Sequence, residues 1–323
     1  MIACRNVRFA LFLLAVFSWQ AGFVIAAGNN VPILTPQKIA PNVYAFQGRA
    51  GVASQDNRGF NSNAGFVITR DGVVVIDALG TPLLGEAMVA AIRKITNKPI
   101  RKVIVTHYHA DHFYGLQAFK QAGAEVWAHA AARDYLEGGE GAARLSQRRT
   151  DLAPWVDAST RLVPADVWIE GNRSFTLGGT QFDIIHLGPA HSPEDVIIVI
   201  GKSGVIFTGD ILFTGRIPFV GEADSKRWLQ TFSRLIDQKP HIMIPGHGAP
   251  SRNPSVDLAL TRDYLLYLRQ TMGKAVEDFV SFDEAYVQTD WSRFANLPAF
   301  EAANRINAYG TYLLMEKESL SKK

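Results

Sequence analysis

The seven residues Thr106-His-Tyr-His-Ala-Asp-His112 hold three of the chain's eight histidines together with an aspartate. They close an apolar, β-branched run, Arg101-Lys-Val-Ile-Val-Thr106, which reads as a strand, so the cluster sits where the chain leaves a sheet. On extended backbone, side chains two residues apart point the same way. His107 and His109 can therefore grip one metal ion. Asp111 and His112, past the turn, can face a second one close by.

Two coordination shells need more ligands than this stretch supplies, so further His, Asp or Glu residues are predicted at later strand exits. Three such loops exist. His191 lies in Gly188-Pro-Ala-His-Ser-Pro-Glu-Asp195, Asp210 follows the apolar run Gly204–Thr208, and His247 lies in Ile244-Pro-Gly-His-Gly248. A carboxylate such as Asp210 can bridge two cations, which an imidazole cannot. His129, at a predicted helix start, His186, within a strand, and His241, in a loop, read as surface or hydrogen-bonding residues. Of these, His186 is the nearest rival to His191.

Outward from these loops, strand-like and helical runs alternate through the first 250 residues, which is the pattern of an α/β fold. Leu83–Ile95 and Trp228–Ile236 carry apolar residues at helical spacing and should each pack one face on a sheet. Phe66–Asp77 and Ile198–Asp210 resemble each other: an apolar strand, a turn ending in glycine, a second apolar strand, then an aspartate. They read either as halves of a duplicated unit or as two ordinary hairpins. Strands apolar throughout imply burial on both faces, hence two sheets with helices outside. Gly138–Asn172 is long and polar, with a helix predicted over Ala142–Arg149, and reads as a lid or pocket wall. From Val256 onward the pattern is helical, including Leu258–Leu268 and Ala302–Glu316.

At the start, Arg5 and Arg8 precede an uncharged apolar run and a small-residue exit at Ala26-Ala27, so residues 1–27 read as a cleaved export signal. An uncleaved anchor is the alternative. Cleavage would remove two arginines and take the formal net charge from +3 to +1, which gives no support for nucleic-acid binding or a charge-driven membrane role. Cys4, the one cysteine, would leave with the signal, so no thiolate ligand, thiol nucleophile or disulfide is expected.

The combination T-H-x-H-x-D-H, a histidine after Gly-Pro, Gly-Asp and Pro-Gly-His-Gly resembles the metallo-β-lactamase superfamily over about residues 31–250, followed by a helical extension over 251–323. The resemblance implies a four-layered αβ/βα sandwich with a dinuclear zinc site at one edge of its two sheets, iron or manganese being the alternative metals. His107, His109 and His191 would hold the first metal, Asp111, His112 and His247 the second, with Asp210 bridging. Asp77, in Val75-Ile-Asp-Ala-Leu-Gly80, would support the ligand loop through hydrogen bonds.

The resemblance also implies a reaction: a metal-bound hydroxide attacks an acyl substrate, with Asp111 orienting it and passing a proton to the leaving group. Asp210 stands where cysteine-type lactamases carry a thiolate. The pattern is therefore closer to glyoxalase II-like thioesterases and to the quinoprotein relay and sulfur-oxidation-associated zinc metallohydrolases, and a thioester or related small molecule is the expected substrate. Alternatives are β-lactamase or lactonase activity, a mononuclear iron persulfide dioxygenase, and a non-catalytic metal-binding periplasmic protein. Arg216, six residues after Asp210, is a candidate for pairing with a substrate carboxylate. The expected setting is periplasmic or secreted, with no nucleic-acid partner and no stable membrane insertion once the signal is removed.

Overall fold

The computed structural model describes residues 31–321; the expected export signal lies outside them. The first sheet runs β1 (Gln37–Ala40), β2 (Val43–Phe46), β3 (Ala64–Ile68), β4 (Val73–Ile76), then α1 (Pro82–Ile95) and β5 (Ile100–Ile104). After β5 come α2 (Ala110–Phe113), α3 (Leu116–Gln121), β6 (Glu125–His129), α4 (Ala132–Glu137), α5 (Glu140–Asp151) and β7 (Val167–Ile169). Its spatial order is β1-β2-β3-β4-β5-β6-β7. The second sheet contains β8 (Arg173–Leu177), β9 (Thr180–His186), β10 (Val196–Ile200), β11 (Val205–Phe213) and, after α6 (Ser225–Asp237), β12 (Ile242–His247). Its order is β12-β11-β10-β9-β8. Three helices follow: α7 (Pro254–Glu277), α8 (Phe282–Gln288) and α9 (Phe300–Leu320).

Strand periodicity makes the layers. Val74, Ile76 and Ile104 of one sheet meet Ile198, Val205, Phe207 and Ile244 of the other in a single core. Their sequence neighbours point away: Val73, Val75 and Val103 pack with Leu84, Met88 and Phe119 of the helices, while Ile197, Ile206 and Met243 pack with Trp228, Leu235 and Leu265. The result is a helix–sheet–sheet–helix sandwich with a C-terminal helical region. Every residue of β4 and of β11 is buried, as strands covered on both faces require. α1 starts on Thr81, whose side chain accepts from the Leu84 N–H, with Pro82 in its first turn and Arg93 and Lys94 in its last.

The two similar segments occupy corresponding places. In each sheet an antiparallel hairpin, β3–β4 or β10–β11, leads through a helix, α1 or α6, to a strand that joins the hairpin in parallel, β5 or β12. Both tails carry an aspartate, and both parallel strands run out at ligand-type histidines.

Several local expectations differ from what forms. β11 does not end before Asp210 but continues to Phe213, because Gly209 takes a left-handed φ of 52° and the pairing with β12 shifts register there. A Cβ at Gly209 would lie 2.7 Å from Thr106 Oγ1, so glycine is what lets the two sheet edges meet. His129 is the last residue of β6, not the start of a helix. Gly138–Asn172 is more structured than a lid, holding α5 and β7.

Candidate metal centre

The ligand-type residues converge at one edge of the sandwich. His107 follows β5, His109 immediately precedes α2, Asp111 and His112 lie in its first turn, His191 sits between β9 and β10, Asp210 lies at the β11 kink and His247 ends β12. Three triads each bring one ligand atom per residue within 4.8 Å of one another: His107, His109 and His191; His107, His112 and Asp210; Asp111, His112 and His247. Asp210 is central. Its carboxylate lies 3.9 Å from His107 Nε2, 3.2 Å from His112 Nε2, 3.4 Å from His191 Nε2 and 3.3 Å from His247 Nε2. Gly246 makes room for it, since a Cβ there would stand 1.8 Å from Asp210 Oδ1.

These side chains fit a metal site. Asp210 Oδ1 and the Nε2 atoms of His107 and His112 are buried without a hydrogen-bond partner among the described residues, and enclosed polar atoms left in that state ordinarily mark an ion or water between them. The opposite ring nitrogens are held. His112 Nδ1 donates to Asp77 Oδ2 at 2.8 Å, His191 Nδ1 to the Phe219 carbonyl at 2.9 Å and His247 Nδ1 to the Asn61 carbonyl at 2.8 Å. His107 Nδ1 lies 3.1 Å from Thr106 Oγ1. Such bonds fix the tautomer and aim Nε2 inward. His109 instead offers Nδ1, 2.7 Å from His191 Nε2.

Asp77 belongs to this supporting layer. It accepts from the Thr106 N–H at 2.7 Å and the Thr106 hydroxyl at 2.9 Å as well as from His112, so it pins the start of the ligand loop. It does so from a left-handed φ of 59°, a conformation an aspartate tolerates better than most residues. His186 stacks on His129 at 4.3 Å and contacts the Asp195 carbonyl, outside the three triads. Arg216 is placed as a support: it is 4% exposed, its Nη1 donates to the Gly51 carbonyl, and its guanidinium lies over Phe213 and beside His247.

Other contributors escaped the sequence reading. Asn61 Nδ2 donates to Asp111 Oδ2 at 2.8 Å, the Ser62 hydroxyl to the Asp111 carbonyl, and Asn63 Nδ2 to the carbonyls of Pro245 and Gly248 on either side of His247. The polar triplet Asn-Ser-Asn directly before an all-apolar strand was the available signal. From α9, Asn307 accepts from the Val220 and Gly221 N–H groups and donates to the Pro218 carbonyl, clamping the loop whose Phe219 carbonyl holds His191.

Charge is arranged to suit a cation. Burial, with His112 next, pulls His107 below the ordinary imidazole value, and burial takes His191 down to about 3, so both are neutral at pH 7. Burial would raise Asp210 and Asp111, but the surrounding histidines outweigh it; Asp210 stays well below the carboxylate range and Asp111 falls to about 2. For His112 burial is again the largest influence, yet Asp210, Asp77 and Asp111 together hold it well above 6.5.

The family model of the metallo-β-lactamase superfamily matches residues 57–247, a span that takes in all seven ligand-type residues. The chain belongs to the metallo-β-lactamase superfamily. Among curated relatives, a linear primary-alkylsulfatase of Pseudomonas sp. is 23% identical in an alignment 234 positions long that covers 61% of this chain and 44% of the relative. A type 2 metallo-β-lactamase of Elizabethkingia meningoseptica is 25% identical over 69% of this chain and 82% of its own length. Among solved structures, a sec-alkylsulfatase from Pseudomonas sp. aligns with a TM-score of 0.66 at 18% identity, covering 87% of this chain and 50% of the sulfatase. A metallo-β-lactamase from Pontibacter korlensis aligns with a TM-score of 0.55 at 20% identity, covering 72% of this chain and 99% of that one. The chain thus spans half or less of the length of these alkylsulfatases. At such identities the superfamily likeness in structure speaks for the fold alone.

Proposed function

We propose that this chain is an exported dinuclear zinc hydrolase of small acyl substrates, most simply a thioester or related sulfur compound. The observation that carries the reading is the Asp210 carboxylate set among four inward-facing imidazole nitrogens. When bound, a zinc pair lowers the pKa of a water to about 7 and polarises a carbonyl oxygen. The chain's own residues do the rest. Asp111, partly exposed at the rim, is oriented by Asn61 Nδ2, lies 3.4 Å from His247 Nε2, and can take a proton from the attacking water and hand it to the leaving group. Tyr135 against His109 and Phe219 against His191 wall the rim with aromatic surface. No serine or cysteine nucleophile is required.

Support for a thioester over a β-lactam comes from Asp210, a hard oxygen ligand, at the kink of β11. A second reading, hydrolysis of a sulfate ester, is favoured by one observation: the sec-alkylsulfatase alignment covers 87% of this chain, more than residues 31–250 make up. Export rests on residues 1–27 of the sequence. The deciding experiment compares kcat/KM of zinc-loaded protein for a glutathione thioester, an unsubstituted lactone, a cephalosporin and a primary alkyl sulfate. The thioester is expected to lead. A lead of about tenfold by another substrate, about 1.4 kcal/mol of transition-state stabilisation, overturns the ranking.

A further inference from the structure

Helix α5 presents one buried stripe, Gly141, Leu145 and Leu152, and Arg148 falls within it at helical spacing; every other residue of the helix is exposed. An arginine in a core-facing stripe ordinarily brings a partner with it. This one has none: Arg148 Nε is buried with no hydrogen-bond partner among the described residues, and Asp111, the carboxylate its charge reaches, is paired with His247. The next residue, Arg149, behaves in the usual way, donating to the carbonyls of Asp157 and Thr160.

The surroundings of Arg148 are equally unfinished. The hydroxyls of Tyr114 and Tyr135 are buried and unpartnered; Tyr114 feels the charge of Arg148, whereas Tyr135 packs at the far end of the stripe, its ring 3.1 Å from where a Cβ on Gly141 would stand. The Tyr135 ring lies 6.1 Å from that of His109. Leu152 touches the Cβ position of Gly59, whose carbonyl lies 2.6 Å from where a Cβ on Gly80 would stand, a position 3.2 Å from Asp111 Cα. The stripe of α5 therefore borders the Asp111 and His109 side of the metal centre. A half-buried guanidinium with no carboxylate or carbonyl partner among the described residues offers the donors that a planar anion needs for recognition.

We propose that Arg148, with Tyr114 beside it, forms a subsite for an anionic group on the substrate, a carboxylate or a sulfonate, next to the metal centre. The inference deepens the hydrolase reading and rests on it for the word substrate, but anion binding can be measured without turnover. Succinate, sulfoacetate and acetate are titrated calorimetrically into zinc-loaded wild-type protein, Arg148→Gln and Arg148→Lys. The zinc centre is common to all three proteins, so the margin of the two dianions over acetate reports the subsite.

Wild type should bind at least one dianion about tenfold or more tightly than acetate; Arg148→Gln should abolish that margin and Arg148→Lys retain part of it. Which dianion shows the margin distinguishes carboxylate from sulfonate. In a kinetic arm, wild type should prefer a succinyl over a butyryl thioester of the same thiol, through KM, and Arg148→Gln should erase the preference. Absence of a margin in wild type, or an equal margin in Arg148→Gln, overturns the subsite. Turnover of neither thioester counts against the thioester reading instead, and leaves the titration to decide the subsite. Should Arg148→Gln fail to fold, a Lys variant that folds with no margin at all also counts against the proposal.

Discussion

The hairpins β3–β4 and β10–β11 are built alike and deliver aspartates with opposite fates. Asp77 is fully satisfied, accepting from the Thr106 N–H, the Thr106 hydroxyl and His112. Asp210 is left with a buried oxygen that no described donor satisfies and with four imidazole nitrogens around it. The difference arises in the backbone. Asp77 itself turns left-handed as the chain leaves β4 and folds its carboxylate back beneath the ligand loop, whereas Gly209 takes the left-handed turn for Asp210, and β11 continues and carries the carboxylate into the centre. One pattern thus yields a support in the first sheet and a candidate ligand in the second.

The comparison can be broken by substitution. The largest effect should come from Asp210→Ala, which removes an anion shared among all four Nε2 atoms. Turnover of the best substrate should fall by about a thousandfold or more, since centres of this kind contribute several kcal/mol to the barrier. Asp77→Ala should cost less, about 10–100-fold in zinc affinity, as expected for a group that acts through His112 and Thr106. An equal loss at both positions would erase the distinction between the hairpins. Asn307→Ala, in the C-terminal helix, should weaken zinc affinity by about tenfold by loosening the Phe219 carbonyl that holds His191, with the helical circular-dichroism signal preserved. A wild-type affinity there would separate the helical region from the centre.

A subtler test uses pH. In chelator-stripped protein, His112 lies between Asp77 and Asp210, and these carboxylates hold its value above 6.5 against the pull of burial. Its protonation therefore favours the folded state below pH 6.5, and that stabilisation is lost as pH rises through the folded value. Zinc needs the same imidazole neutral, so the loaded protein should gain stability over that interval. Thermal unfolding of both forms between pH 6 and 8 should give slopes of opposite sign. Parallel slopes would place His112 away from the metal.

Much of the fold was legible because its signals are local. The apolar stretches at the heads and tails of Phe66–Asp77 and Ile198–Asp210 read as buried strands and form them, and Leu83–Ile95 and Trp228–Ile236 fall within α1 and α6. The site was legible insofar as its ligand-type residues cluster at strand exits. What stayed hidden depends on contacts between distant segments. Asn61 and Asn63 act on Asp111 and the His247 loop across long sequence separations, and Asn307 acts from the far C-terminus. The extension of β11 was missed because a glycine before an aspartate reads as a strand end unless the neighbouring sheet, here Thr106, is known to press against it. Likewise, proximity in sequence to Asp210 says nothing of Gly51 and His247, which the Arg216 guanidinium also reaches.

In the proposed site Asp210 would hold the metal pair, and its counterpart Asp77 would only support it. Elemental analysis of purified wild type, Asp210→Ala, Asp77→Ala and His186→Ala, each dialysed against zinc at a concentration saturating for wild type and then desalted, tests it most directly. Close to two zinc ions per chain are expected for wild type and His186→Ala, one or more for Asp77→Ala, and fewer than one for Asp210→Ala. A zinc content in Asp210→Ala equal to that of wild type would contradict it.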